Sequence, residues 1–122
     1  MKQLLDLTIE KFDNITVVTL VADHLDAGNV DLFRDQIDPL LSDFDRVVFD
    51  FSQLNFIDSS GLGAILFCQR DIISNNGVLK ICGVSKSIRL FFELVRMHKV
   101  VDIEKTREEA ILHFQQETDS DN

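Results

Sequence analysis

The stretch Asp58-Ser59-Ser60-Gly61-Leu62-Gly63 packs an acid, two hydroxyls and two glycines into six consecutive residues. A hydroxyl beside a carboxylate has three chemical uses. It can attack an acyl or phosphoryl centre, given a base and an oxyanion hole. It can help backbone N–H groups cradle a small anion. It can also accept a phosphoryl group, gaining roughly 1.5 to 2 negative charges and three strong acceptors. A fourth reading is structural: Asp58 and Ser59 cap a helix by accepting hydrogen bonds from its first free N–H groups.

The neighbouring sequence does not favour the first two uses. A nucleophile elbow of the form Gly-x-Ser-x-Gly is absent, and only His24 could approach as a base, from the loop carrying Asp26. No Walker lysine or Gly-x-Gly-x-x-Gly accompanies the glycines, and Asp58 would oppose an anion. The expected protein is therefore not an enzyme, has no catalytic residues and needs no cofactor. His24, His98 and His113 are scattered without metal-ligand spacing, so no metal site is expected. Cys68 and Cys82 form no CxxC pair and sit in apolar segments, which predicts buried free thiols.

The elements that must position this stretch are legible from periodicity. Residues 4–10 and 15–21 read as a hairpin turning at Phe12-Asp13-Asn14. A loop over His24–Asn29 follows, with Asn29 as N-cap of a helix whose core face is Val30, Phe33, Ile37 and Leu40 or Leu41. Pro39 should kink or end that helix. Arg46–Phe51 is nearly continuous apolar sequence, as in an interior strand covered on both faces. The marked stretch then opens a helix over about 60–74, with Leu62, Ile65, Leu66, Gln69 and Ile73 on one face. Ala64, Phe67 and Asp71 lie opposite, with Ser60 at the top of that side. Phe67 is a large aromatic on a polar face, which suits a partner contact.

Asn75-Asn76-Gly77 stops the helix, and a strand over 78–82 ends at Gly83. Ser85 caps a helix bearing Ile88, Phe91, Phe92 and Val95, and 100–103 forms an edge strand. Thr106-Arg107-Glu108-Glu109 has capping-box spacing and starts a last helix with Ala110, Ile111 and Phe114. Residues 118–122 read as a disordered polar tail.

The order is thus ββαβαβαβα: an α/β protein with a mixed, mostly parallel sheet of about five strands and about four helices. Right-handed crossovers lay those helices against a sheet that is parallel apart from its hairpin edge. Groups after strand ends gather at one edge of such sheets, so Asp26 and Ser59 should emerge together.

At 122 residues the chain is one domain, with 45% hydrophobic and 27% charged residues. A net charge of −9 repels phosphate backbones and anionic membrane surfaces, and attracts a basic protein partner. No apolar stretch approaches the roughly 20 residues that span a bilayer. The N-terminus shows no secretory signal, so a cytoplasmic protein is expected, as a monomer.

Ile57-Asp58-Ser59-Ser60-Gly61-Leu62-Gly63, following an apolar strand that carries Asp50, resembles the signature of STAS-domain anti-sigma factor antagonists. The resemblance covers roughly residues 4 to 117. It implies the STAS fold as a single domain over 1–117. It also implies that the unphosphorylated protein sequesters an anti-sigma factor that is a serine kinase, freeing a sigma factor. Phosphorylation of the first serine after the motif acid, here Ser59 with Ser60 as alternative, would release the pair, and a PP2C-type phosphatase would reverse it. The partner surface so implied comprises Asp26, Asp58, Ser59, Ser60 and Gly61, with Phe67 from the helix pattern. Asp23-His24-Leu25-Asp26 departs from the family's usual Gly-x-Leu-Asp. Other outputs open to a protein of this fold are a stress-complex scaffold, a biofilm or secretion regulator, or a lipid-transport accessory subunit.

Overall fold

A computed structural model describes residues 5–120. Strands β1 (Leu7–Phe12) and β2 (Ile15–Leu20) form the expected hairpin, Leu7 opposite Leu20 and Phe12 opposite Ile15. The first strand was expected over 4–10, and Leu4 lies outside the described residues. The turn tightens to Asp13-Asn14, with Asp13 left-handed at φ 58°, so Lys11 and Phe12 stay in the ladder. Strands β4 (Arg46–Asp50), β6 (Val78–Cys82) and β7 (Asp102–Glu104) extend the sheet in parallel, in the order β1-β2-β4-β6-β7.

Side chains alternate across the sheet, and each face has its own cover. Val18, Phe49 and Ile81 face helices α1 (Val30–Ile37), α2 (Ser59–Ser74) and α3 (Lys86–Leu94). Phe33 from α1 meets Phe49 edge-on, with ring centroids 6.2 Å apart. On the opposite face, Ile15, Val17, Val48 and Cys82 pack under Ala110 and Phe114 of α4 (Arg107–Ser120). Cys68 and Cys82 are buried free thiols, and desolvation pushes both up to about 12.

Local signals explain most helix ends. Pro39 sits at the start of a 3-10 segment, Asp38–Asp43, so α1 ends at Ile37, and Leu40 and Leu41, expected on its core face, belong to that segment. Ser85 Oγ accepts from the Ile88 N–H at 3.3 Å, and Thr106 Oγ1 from the Glu109 N–H at 3.1 Å. Asn76, with φ 64°, supplies the left-handed turn after α2.

Four expectations need correction. Asn29 occupies the N-cap position of α1 but makes no capping bond. Its Oδ1 accepts from the Asp26 N–H and its Nδ2 donates to the His24 carbonyl, so it braces the preceding loop. The buried face of α2 is Gly61, Ala64, Ile65, Cys68 and Ile72, while Leu66 and Ile73 are exposed. Small residues let the helix sit close to the sheet, and that contact outweighs the pull of larger side chains. Val95 is exposed, because Arg96 turns left-handed (φ 61°) and buried Met97 reaches the core in its place. Finally, α4 continues through Ser120, so 118–120 are helical rather than part of a disordered tail. Asp121 and Asn122 lie outside the described residues.

Candidate functional site

Two short strands that periodicity could not show assemble the site. β3 (His24–Leu25) and β5 (Phe56–Ile57) pair in parallel, His24 beside Phe56 and Leu25 beside Ile57. The expected loop over 24–29 therefore begins as a strand. Asn55 secures the pairing from below, its N–H donating to the Asp23 carbonyl at 2.8 Å and its Nδ2 to Asp23 Oδ1 at 2.6 Å. The next residue along each strand is an acid beyond the pairing, Asp26 after Leu25 and Asp58 after Ile57.

Asp58 is the N-cap of α2, in an extended conformation with φ −113° and ψ −172°. One oxygen, Oδ1, accepts from the Gly61 N–H at 3.0 Å; the other, Oδ2, accepts from the Ala27 N–H at 3.1 Å. The Gly61 N–H foremost holds this carboxyl below the usual carboxylate range, against partial desolvation and with help from the Ala27 and Ser60 amides. Asp26 turns to its own loop instead. Its Oδ1 accepts from the Gly28 N–H at 2.9 Å and lies 3.9 Å from His24 Nε2. The two carboxylates thus cap two successive backbone turns of one surface.

Ser59, the first residue of α2, is exposed, and Ser60 is partly exposed. Gly61 faces inward. A Cβ there would lie 2.4 Å from the Leu25 carbonyl oxygen and 2.8 Å from Ile57 Cγ1, so only glycine lets α2 start this close to β3. Gly63 is on the open side, where an added methyl would meet nothing within 4 Å.

The structure therefore brings Asp26, Asp58, Ser59, Ser60 and Gly61 together. Phe67 is set apart, eight residues or about 12 Å further along the α2 axis. It is partly buried: the Arg34 guanidinium lies 4.2 Å from its ring centroid and that of Arg70 5.5 Å. With Gly63, Leu66 and Arg70 it lines an open hollow of about 340 Å³. Sequence reasoning missed the Ala27 amide and the bracing role of Asn29. Only the Asp26–Asn29 spacing hints at the latter.

This arrangement suits surface chemistry on a hydroxyl. The Gly61 amide, which an anion would need, is already occupied by the Asp58 carboxylate. His24 leans on Asp26. Among the described residues, no group of three or more His, Cys, Asp or Glu could hold a metal ion. Nor is any helix of those residues long and apolar enough to cross a membrane.

The chain has counterparts among known proteins. The STAS domain family model matches residues 6–110. An anti-sigma F factor antagonist of Paenibacillus polymyxa is 27% identical over 101 residues, covering 81% of this chain and 86% of that protein. SpoIIAA, an anti-sigma factor antagonist of Bacillus, superposes with a TM-score of 0.68 in its unphosphorylated form and 0.66 in its phosphorylated form, at 24% identity. The unphosphorylated form covers 90% of this chain and 98% of its own. The murine anion transporter Slc26a9 contains the same fold at a TM-score of 0.76 and 16% identity, over 88% of this chain and 18% of the transporter.

Proposed function

The chain belongs to the STAS domain family, and from that premise we propose that it is an anti-sigma factor antagonist controlled by phosphorylation of Ser59. The unphosphorylated protein binds an anti-sigma factor that is also a serine kinase, and a sigma factor is freed. Phosphorylation of Ser59 ends the complex, and a PP2C-type phosphatase restores it. The chain works in the cytoplasm, as a monomer between encounters, and carries out no catalysis of its own.

One observation carries the reading: Ser59 is exposed at the first turn of α2, beside a carboxylate fixed by two backbone amides. A phosphoryl group there joins Asp58 and Asp26 on one surface. Like charges in the middle of an interface repel a partner that tolerated a neutral hydroxyl. The docking surface is Asp26, Asp58, Ser59, Ser60 and Gly61, with Phe67 at its far margin. The helix N-terminus accommodates added negative charge, so the fold survives the modification. That SpoIIAA, an antagonist of the same fold, is solved in unphosphorylated and phosphorylated forms supports a phosphorylated state for this chain.

The test is intact mass and site mapping after incubation with the candidate kinase and ATP, followed by pull-down with variants. A single phosphoryl group on Ser59 is expected. Ser59→Ala should retain the kinase, and Ser59→Asp should lose it about a hundredfold, or about 2.7 kcal/mol. Equal retention by both variants, or modification elsewhere, would overturn the proposal.

A further inference from the structure

Charge is distributed unevenly along this acidic chain. Residues 59–101 hold six of its basic residues (Arg70, Lys80, Lys86, Arg89, Arg96 and Lys99) against two acids, Asp71 and Glu93. The remaining residues hold six basic against nineteen acidic side chains. Lys80 is buried, but Arg70, Lys86, Arg96 and Lys99 are exposed and Arg89 is partly so. Lys86, Arg89, Arg96 and Lys99 lie on α3 or in the turn that follows it, whereas Arg70 sits over Phe67 on α2.

The outer side of α3 is apolar. Leu90 and Leu94, four residues apart and so one above the other on the helix, are 52% and 83% exposed. Val95 and Val100 continue the apolar surface beyond the helix end. Gln69 of α2 donates a hydrogen bond to the Val100 carbonyl, joining this surface to the exposed Leu66 and Ile73 on either side of Gln69. Isolated exposed leucines need no explanation, but a contiguous apolar group rimmed by polar side chains marks an interaction surface, and the charges on α3 and the turn after it are Lys86, Arg89, Arg96 and Lys99 against Glu93.

The ridge formed by Leu90 and Leu94 lies between two hollows. One, of about 200 Å³, is lined by Asn55, Phe56, Ile57, Ser87, Ile88 and Phe91. The other, of about 310 Å³, is lined by Arg89, Glu93 and His98 with the β7 residues Asp102, Ile103 and Glu104. A ridge between hollows suits the interlocking side chains of a protein helix better than a planar bilayer.

We propose that the outer face of α3, with the adjoining edge of α2, docks an acidic amphipathic helix of a protein partner. The leucine side of that helix lies on Leu90, Leu94 and Val95, filling the Phe56–Phe91 hollow. Its flanking carboxylates meet Lys86, Arg89, Arg96 and Lys99. The surface is opposite in sign to the Asp26–Asp58 loops, so it recruits a different chemistry from the one controlled at Ser59. It operates whether or not Ser59 is phosphorylated.

The full chain is titrated by fluorescence anisotropy with a labelled helical peptide of about 18 residues, leucine at i, i+3, i+4 and i+7 and glutamate at the borders. Micromolar binding is expected, weakening as salt rises from about 50 to about 500 mM. Leu94→Glu and Arg96→Glu should each lose about tenfold, or about 1.4 kcal/mol, with thermal melts unchanged because both side chains are exposed. Replacing the peptide glutamates with lysine should abolish binding to the native chain, and Arg96→Glu should bind the lysine peptide better than the native chain does. Ser59→Asp should bind the acidic peptide as the native chain does, which separates this test from that of the Ser59 switch. Absence of binding, equal binding of the lysine peptide, or indifference to Leu94→Glu would overturn the proposal. So would Leu94-dependent sedimentation with phosphatidylglycerol vesicles when the peptide does not bind.

Discussion

The Asp58 carboxylate accepts a hydrogen bond from the Ala27 N–H at 3.1 Å, across 31 residues of sequence. Its other oxygen caps α2 through Gly61 at 3.0 Å. One side chain thus fixes the relation between the Asp26 loop and the helix that presents Ser59. Replacing Asp58 with Ala should release both amides, raising hydrogen exchange at Ala27 and Gly61 by about tenfold or more while core strands stay protected. Asn at this position keeps acceptor and donor but one oxygen only, so it should protect one of the two amides.

The same contact sets a pH dependence. Hydrogen bonds from Gly61 first, then Ala27 and Ser60, lower the Asp58 pKa in the folded protein. A carboxyl lowered by folding adds stability that is complete above its unfolded value of about 3.9 and is lost as pH falls through the folded value. The Ala27 and Gly61 amide resonances should therefore stay constant from neutral pH down to about 4. They should move together only below it. Titration of both resonances by NMR reads this directly, and a midpoint at or above the ordinary aspartate value would contradict the capping geometry.

Glycines 61 and 63 offer an internal comparison, being two residues apart on one helix with opposite surroundings. Gly61→Ala drives a methyl into the Leu25 carbonyl and Ile57, and should cost about 1–3 kcal/mol by urea unfolding. It should also push β3 off the start of α2 and weaken any partner that spans the two loops. Gly63→Ala meets nothing within 4 Å and should stabilise the chain by about 0.5–1 kcal/mol through helix propensity. Equal effects at the two positions would show that helix propensity, not close approach, decides both.

That contrast also explains what could be read from sequence. Short apolar runs, such as 46–51 and 78–82, carry their own signal, and each holds a parallel strand of the sheet. The caps at Asp58, Ser85 and Thr106 are likewise written in adjacent residues. The α2 face was misread because periodicity weighs side-chain size, whereas the helix packs through Gly61, Ala64 and Cys68. Strands of two residues have no period to detect, so β3 and β5 were invisible although they align the candidate site. The acid and serine could be named from their types. The Ala27 amide could not, since every residue except proline has one.

The last prediction concerns a lysine that sequence periodicity places on a strand and the structure places almost wholly inside, at 2% exposure. Lys80 Nζ lies 3.0 Å from Asp102 and from Glu117, 3.7 Å from Glu104, and 4.8 Å from the Phe114 ring centroid. Burial pulls its pKa down, but the hydrogen bonds to Asp102 and Glu117 outweigh burial, and the value ends above that of an ordinary lysine. Lys80→Met keeps the stem that packs on Phe114; its carboxylate partners Asp102 and Glu117 reach solvent, and the more buried Glu104 keeps His113 at 2.7 Å. It should therefore fall within about 1–2 kcal/mol of the native chain near neutral pH. Lys80→Ala opens a void between the sheet and α4, and should lose about 2–5 kcal/mol. A cation whose pKa is raised by folding contributes stability that is complete below its unfolded value of about 10.4 and lost as pH climbs through the folded value. Urea midpoints of the native chain and Lys80→Met should thus keep a fixed offset up to about pH 10 and shift in favour of the variant above it. An offset that varied near neutral pH would mean that another group, and not the Lys80 ammonium, anchors α4 to the edge of the sheet.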